Sequence, residues 1–356
     1  MLVALLASGS ACKKQEDKAP AAADPKVTSG EQAQPAAADK GASADDKAAA
    51  DKAAAEAEEK RKKAEEVAND MKEVEKEAAE EAKRWDDGMK KKASDLVAKK
   101  FANTKAALKA IVASPHRTPG NSDRDRYRHP VETLDFFGIQ PTSTVVELGT
   151  GAGWYTEILA PLVAREGKLI AVGFDPNGPA DSGRTVYGKR TRLFLDKSPE
   201  LFGKVDVSLI EPPAKLELGP AGSADFVIAM REMHNWQRSD QMEAYLTAVR
   251  NVLKDGGKFG VEEHRAKPGT KGEETADTGY LPEEWVVQKV EAAGFKLEAK
   301  SEINKNAKDM KDYEKGVWTL PPTLTEGDKD KAKYEAIGES DRMTLRFVKL
   351  PAGARK

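Results

Sequence analysis

The sequence predicts an α/β domain built on a mostly parallel sheet, preceded by a helical and disordered N-terminal tail. Three observations predict it. From Thr144 onward, short β-branched or apolar runs alternate with stretches of helical spacing, the pattern of βαβ units. The first such run, Thr144 to Val146, passes through Glu147 and the cluster Gly149-Thr150-Gly151-Ala152-Gly153 into a helix-spaced stretch ending near Val163. The third is a composition shift: between Met1 and Lys100, Trp85 is the only aromatic, and Ala, Lys, Glu and Asp dominate.

At 356 residues the chain has room for two domains. Charged residues make up 33%, above the roughly 25% usual for globular chains, so part of the chain is expected to stay unpacked. The net charge of -2 argues against nucleic acid as a general partner. A single cysteine excludes an internal disulfide and a cysteine-rich metal site.

In chain order, Leu2 to Leu6 is apolar and runs through small residues to Cys12. It is too short to span a bilayer and reads as a secretory signal. With Lys13 and Lys14 following, residues 1–12 resemble a bacterial lipoprotein signal, although a basic n-region is missing and Gly9 stands where that family carries Leu. The resemblance implies a lipid anchor on Cys12 as the sole membrane attachment, and a cell-envelope location facing the periplasm. Residues 13–49 lack apolar periodicity and are expected to form a disordered tether. Residues 50–113 are rich in helix formers, with Glu and Lys three or four apart. Their first half carries only a weak stripe, Val67, Met71, Val74, Ala78 and Trp85, interrupted by Glu81, so a solvated charged helix is expected rather than a sustained coiled coil. Gly88 is expected to break it. Leu96, Val97, Phe101, Leu108, Ile111 and Val112 form a better face, which should pack on the globular domain, residues 114–356. The run Arg124 to His129, ahead of a helix closed by Gly138, is expected to be a solvated loop; the alternative is that it folds over the cleft and touches an anionic acceptor.

Further strands are expected at Gly167–Asp175, Lys204–Ile210, Ser223–Met230, after Gly256-Gly257, from Phe295, and at Asp341–Val348. Helices fall at Gln241–Leu253 and Glu284–Ala293. Ligands of open α/β sheets bind beyond the carboxyl ends of the strands. That edge collects the glycine cluster, Asp175, Glu211, Met230, the turn Arg231-Glu232-Met233-His234-Asn235-Trp236, and Glu262-Glu263-His264-Arg265.

A dinucleotide fingerprint needs glycines at its first, third and sixth positions. From Gly149 the sixth position is Trp154 and from Gly151 it is Thr156, so both frames fail. The spacing acid, one residue, then G-x-G-x-G resembles motif I of the class I S-adenosylmethionine (SAM) methyltransferases. Leu253-Lys254-Asp255-Gly256-Gly257 matches that family's turn into its fifth strand, and the strand end Val261 to Ala266 resembles one group within it. The resemblance covers roughly Asp123 to Leu350. It implies a Rossmann-like, seven-stranded, mostly parallel sheet with an antiparallel last strand and helices on both faces. It also implies SAM as cofactor and a methyl group as cargo; a small-molecule acceptor is expected, but its identity does not follow from the pattern. The residues it points to for the cofactor are Glu147, Gly149, Gly151, Gly153, Asp175 on the ribose, Glu211 near the adenine, and Met230. In that family strands four and five are neighbours, so His234 and His264 should face one cleft. A histidine near neutrality suits proton removal from an acceptor. His234, His264 and Glu263 are the catalytic candidates, with Glu232, Arg231 and Arg265 as partners. Two histidines and several glutamates can also bind a divalent ion, but no pair has the i,i+4 spacing of a helix-borne zinc site, so no metal is expected. The alternatives are a non-catalytic SAM-fold binding module on a lipid tether, or a structural envelope protein whose charged helix is the working part.

Overall fold

The computed structural model describes residues 44–351 together with Gly353. The signal-like segment and most of the expected tether therefore lie outside the described residues. Helix α1 spans Ala44–Ala82, so helix begins ahead of residue 50. Residues 51–63 are exposed throughout, but Val67 and Val74 are buried. The chain turns at residues 83–86, ahead of Gly88, which lies in the first turn of α2 (Asp87–Ala98) with Asp86 accepting from Met89 N–H at 2.7 Å. Helix α3 (Thr104–Val112) is capped by Asn103 in the same way, at 2.9 Å. Both caps satisfy backbone donors that a helix start leaves free.

The run Arg124 to His129 is not a loop. Asp125–Arg128 forms α4, and α5 (Pro130–Phe137) follows, closed by Gly138 at φ +85°. The sheet then begins. Strand β1 (Thr144–Leu148) leads into α6 (Thr156–Val163), β2 (Lys168–Gly173), α7 (Gly183–Asp196), α8 (Pro199–Phe202), β3 (Asp206–Leu209) and β4 (Ala224–Met230). Helices α9 (Met233–Arg238) and α10 (Met242–Val252) precede β5 (Leu253–His264). Then come α11 (Gly272–Thr275), α12 (Glu283–Ala292), β6 (Phe295–Ser301), α13 (Lys331–Ile337) and β7 (Arg342–Lys349).

The seven strands lie in the order β3-β2-β1-β4-β5-β7-β6, and β7 runs antiparallel to both its neighbours. This is the Rossmann-like architecture the sequence implies. The inner parallel strands are buried on both faces, which is why their sequences read as apolar runs, whereas the edge strand β3 is largely exposed. Alternation along each strand divides the residues between the faces. Val146, Leu148, Val227, Ala229, Phe259, Val261, Met343, Leu345 and Phe347 join α9, α10 and α12 on one side. Val145, Leu169, Ile228 and Met230 join α2, α3, α5 and α6 on the other, with Trp85. The apolar face expected at Leu96 to Val112 is thus part of the core. The weak stripe of α1 also has a partner: Val67 and Val74 are buried with Val186 of α7, and Met71 and Leu193 pack against them.

Candidate active site at the carboxyl ends of the strands

Between β1 and α6 the backbone takes φ +65° at Gly149, +54° at Gly151 and +79° at Gly153. An L side chain rarely tolerates that region, so the alternate glycines are set by the shape of the turn. Gly149 and Ala152 are exposed. A Cβ on Gly151 would meet nothing closer than the Gly149 carbonyl at 3.9 Å. The other two glycines admit side chains instead: Glu232 lies against Gly149, and the ring of Phe194 against Gly153.

Glu147 shares its sheet face with Val145, so its carboxyl group is buried under α6 rather than open at the edge. It accepts from Thr156 Oγ1 at 2.8 Å, and burial pushes its pKa up to about 8. It ties β1 to the first turn of α6 and so holds the loop between them. Asp175, just past β2, is exposed and accepts from Asn177 N–H at 2.8 Å. Glu211 is also exposed, in a short bridge to Lys215. Met230, the last residue of β4, is buried.

The ends of β4 and β5 carry the titratable cluster. Glu263 is fully buried and accepts from His234 Nδ1 at 3.0 Å, from His234 N–H at 3.2 Å and from His264 N–H at 2.8 Å. The His234 and His264 rings come within 5.5 Å, centroid to centroid. His264 Nδ1 pairs with Ser340 Oγ at 2.5 Å. Burial, then the charges of His234, Arg231 and Arg342, hold the His264 pKa well below its ordinary value, so this imidazole is neutral at physiological pH. Ligand atoms of His234, Glu263 and His264 lie within 4.8 Å of one another, a set able to hold a divalent cation. With Nδ1 of both rings engaged, Nε2 is the nitrogen each has left for chemistry.

Glu232 stands between this cluster and the glycine loop. Burial, opposed chiefly by His234, raises its pKa to about 7. Arg231 bonds Glu262 Oε1 at 2.9 Å, and Glu262 also accepts from the Tyr155 hydroxyl at 2.7 Å. Burial and then the Glu262 charge keep that phenol protonated. Arg265 lies further out, paired with Glu283 at 3.2 Å and Glu302 at 3.0 Å.

Sequence reasoning missed what encloses the edge. The connection from β6 to β7 supplies Trp318, 6.0 Å from the His234 ring, Ser340 on His264, and Glu339 on an arginine cluster. Tyr280 stands 6.2 Å from the His264 ring. It also missed Glu157 in α6, which is fully buried. Glu157 accepts from Arg117, from Thr118 N–H at 2.9 Å and from Asn121 Nδ2 at 2.9 Å, and its carbonyl takes His116 Nε2 at 2.7 Å. The one signal for it was the polar density of residues 116–121 at the start of the domain.

No family model matches the chain, and no curated protein matches it. Many solved structures do. A SAM-dependent methyltransferase from Aquifex aeolicus is 16% identical, covering 70% of this chain and 99% of its own, with a TM-score of 0.41. Geranyl diphosphate methyltransferase in complex with SAM is 12% identical over 68% of this chain and 95% of its own, at 0.40. The cyclase SpnF is 14% identical over 63% and 81%, at 0.42.

Proposed function

We propose that this chain transfers a methyl group from SAM to a small molecule whose accepting oxygen or nitrogen gives up a proton. One observation carries the reading: the partly exposed glycine turn after β1 and the histidine–glutamate cluster formed by the start of α9 and the end of β5 lie at the same edge of one sheet. The Aquifex and geranyl diphosphate enzymes, methyltransferases by name, are consistent with it.

On this reading the glycine turn and Asp175 hold the cofactor, and Glu232 offers a carboxylate beside Gly149 to a ligand whose sulfonium and ammonium are both cationic. Transfer is an in-line displacement. The bond from sulfur to the methyl carbon breaks as the bond from the acceptor forms, and sulfur keeps the electron pair, leaving a neutral thioether. Holding the partners in line supplies up to about 7–11 kcal/mol of the barrier. Glu263 accepts the Nδ1 proton of His234, which leaves the Nε2 lone pair to take the acceptor's proton. His264, kept neutral, orients the same group without repelling the sulfonium.

The test is calorimetric titration of the full chain with SAM and S-adenosylhomocysteine, followed by incubation of cell-extract fractions with methyl-labelled SAM. Saturable binding with label moved to a small-molecule fraction is expected. Failure of both cofactors to bind sinks the reading. Binding without transfer to any fraction makes the chain a binding module.

A further inference from the structure

Beside His264 lies a cluster of fixed positive charge. Glu339, buried, bonds Arg342 at 2.7 Å, Arg124 at 2.7 Å and Arg128 at 3.0 Å. Glu262, also buried, bonds Arg231 at 2.9 Å and lies 3.1 Å from Arg342 Nε. Four guanidinium groups therefore share two carboxylates. An arginine cannot shed its proton to relieve this, and buried charge needs a counter-charge. Other acids near the cluster are otherwise engaged. Glu263 holds His234, Asp341 holds Lys311 at 2.6 Å, and Glu232 lies against Gly149 of the glycine turn. Arg128 and Arg342 are closed in, with side chains 6% and 1% exposed. Arg124 and Arg231 keep 25% and 17%.

Two features aim this charge at the reactive edge. Glu262 and His264 are alternate residues of β5 and share a sheet face, and Arg342 is the register partner of His264 across the ladder to β7. Arg231, the residue after β4, sits at φ +64°. That conformation costs an arginine about 1 kcal/mol or more, where Gly or Asn would not pay it. A long cationic side chain is held at the very point where the strand ends.

We propose that the methyl acceptor is an oxyanion, a small molecule carrying a carboxylate or phosphate, whose charged group is bound by Arg124 and Arg231 while its accepting atom lies at His234 and His264. The word acceptor rests on the methyl-transfer reading; the anion site itself does not, and binding alone reads it out.

The experiment uses the full chain saturated with S-adenosylhomocysteine. The His264 imidazole resonances, assigned with His264→Gln, are followed while inorganic phosphate or succinate is added at constant ionic strength against sodium chloride. A saturable shift with phosphate or succinate and none with chloride is expected, and the tighter of the two names the acceptor's charged group. Arg124→Gln and Arg231→Gln should each weaken it by roughly 10–100-fold, as for hydrogen bonds to a charged partner. Arg192→Gln, whose side chain pairs with Asp196 on exposed surface, should not. Arg124→Gln alone decides the matter if Arg231→Gln fails to fold. No shift, a shift equal to that with chloride, or one kept in Arg124→Gln would mean an adventitious ion only and overturn the proposal. Failure to bind S-adenosylhomocysteine would instead strike the methyl-transfer reading.

Discussion

The two halves of the strand-end edge are built by different means. The half around β1 and β2 is a backbone device: three glycines at positive φ within five residues, pinned by one buried acid, Glu147. The half around β4, β5 and β7 is a side-chain device. His234, Glu263, His264, Ser340 and the four arginines are gathered from several elements, and long-range hydrogen bonds hold them. A backbone device is written locally, because only glycine fits it. A side-chain device is written in residues that look ordinary one at a time, and only the strand order brings them together. The first half should therefore fail through binding and shape, and the second through turnover.

The largest expected effect tests the second half. His234→Ala removes the group whose Nε2 takes the proton, and general-base contributions of this kind run to ~10²–10⁴ in rate. Turnover should fall by that order while SAM affinity, measured by calorimetry, holds. A loss of affinity equal to the loss of rate would dissolve the distinction between the halves.

Gly151→Val is the matching test of the first half. Its Cβ meets no neighbour closer than 3.9 Å, so a steric clash is not the issue. A β-branched residue at φ +54° is strained by roughly 1–3 kcal/mol. The turn will change shape to relieve it, and SAM affinity should drop by about 10–100-fold, with the rate at saturating cofactor much less affected. Unchanged affinity would remove the glycine turn from the cofactor site.

That contrast also explains what was legible in the sequence. The alternation of strands and helices and the glycine turn follow from apolar periodicity and from glycine's backbone freedom, both local signals, whereas the strand order and the antiparallel last strand were implied only by the resemblance of the motifs to a known family. The meeting of His234 and His264 required only the additional step of placing strands four and five side by side. The Arg124–His129 run was only partly legible. Its charges were expected to face solvent, with a place over the cleft as the alternative, and Arg128 is buried against Glu339, 211 residues further on. A buried ion pair and a solvated one have the same composition. The α1 stripe was underestimated for a related reason: Val67 and Val74 gain burial only from Val186, on a helix whose own pattern is dominated by Arg, Lys, Gly and Thr.

A smaller effect sharpens the account of the glycine turn. Glu147 has a native pKa of about 8, raised by burial. At low pH the native and unfolded chains both carry its proton. As pH rises past the ordinary carboxyl value, the unfolded chain ionises first and gains stability, so the native state loses its advantage until about pH 8. Stability should fall with pH across that window, by up to about 1.4 kcal/mol per unit from this group. Urea unfolding of the wild type and Glu147→Gln at several pH values checks it. The variant should show the flatter dependence, and an equal slope would mean that Glu147 ionises freely in the native chain.

The smallest effect concerns what neither half of the edge needs. Residues 51–63 of α1 are exposed on every side, and ion pairs such as Lys52–Glu56 at 3.8 Å are surface pairs worth little. From Ala64 onward the helix changes character, because Val67 and Val74 are buried against α7. A chain beginning at Ala64 should keep its turnover, and its stability should change by less than about 0.5 kcal/mol. A chain beginning at Ser114 is a different matter. It loses Trp85, Leu108 and Ile111 from the core, each burying roughly 1.5–3 kcal/mol of apolar side chain. That is a large part of the 5–15 kcal/mol or so that holds an ordinary domain together. On this expectation the boundary between tail and domain falls inside α1 rather than after α3, and comparing the melting of the two shortened chains locates it. Equal melting of both would return α2 and α3 to the tail.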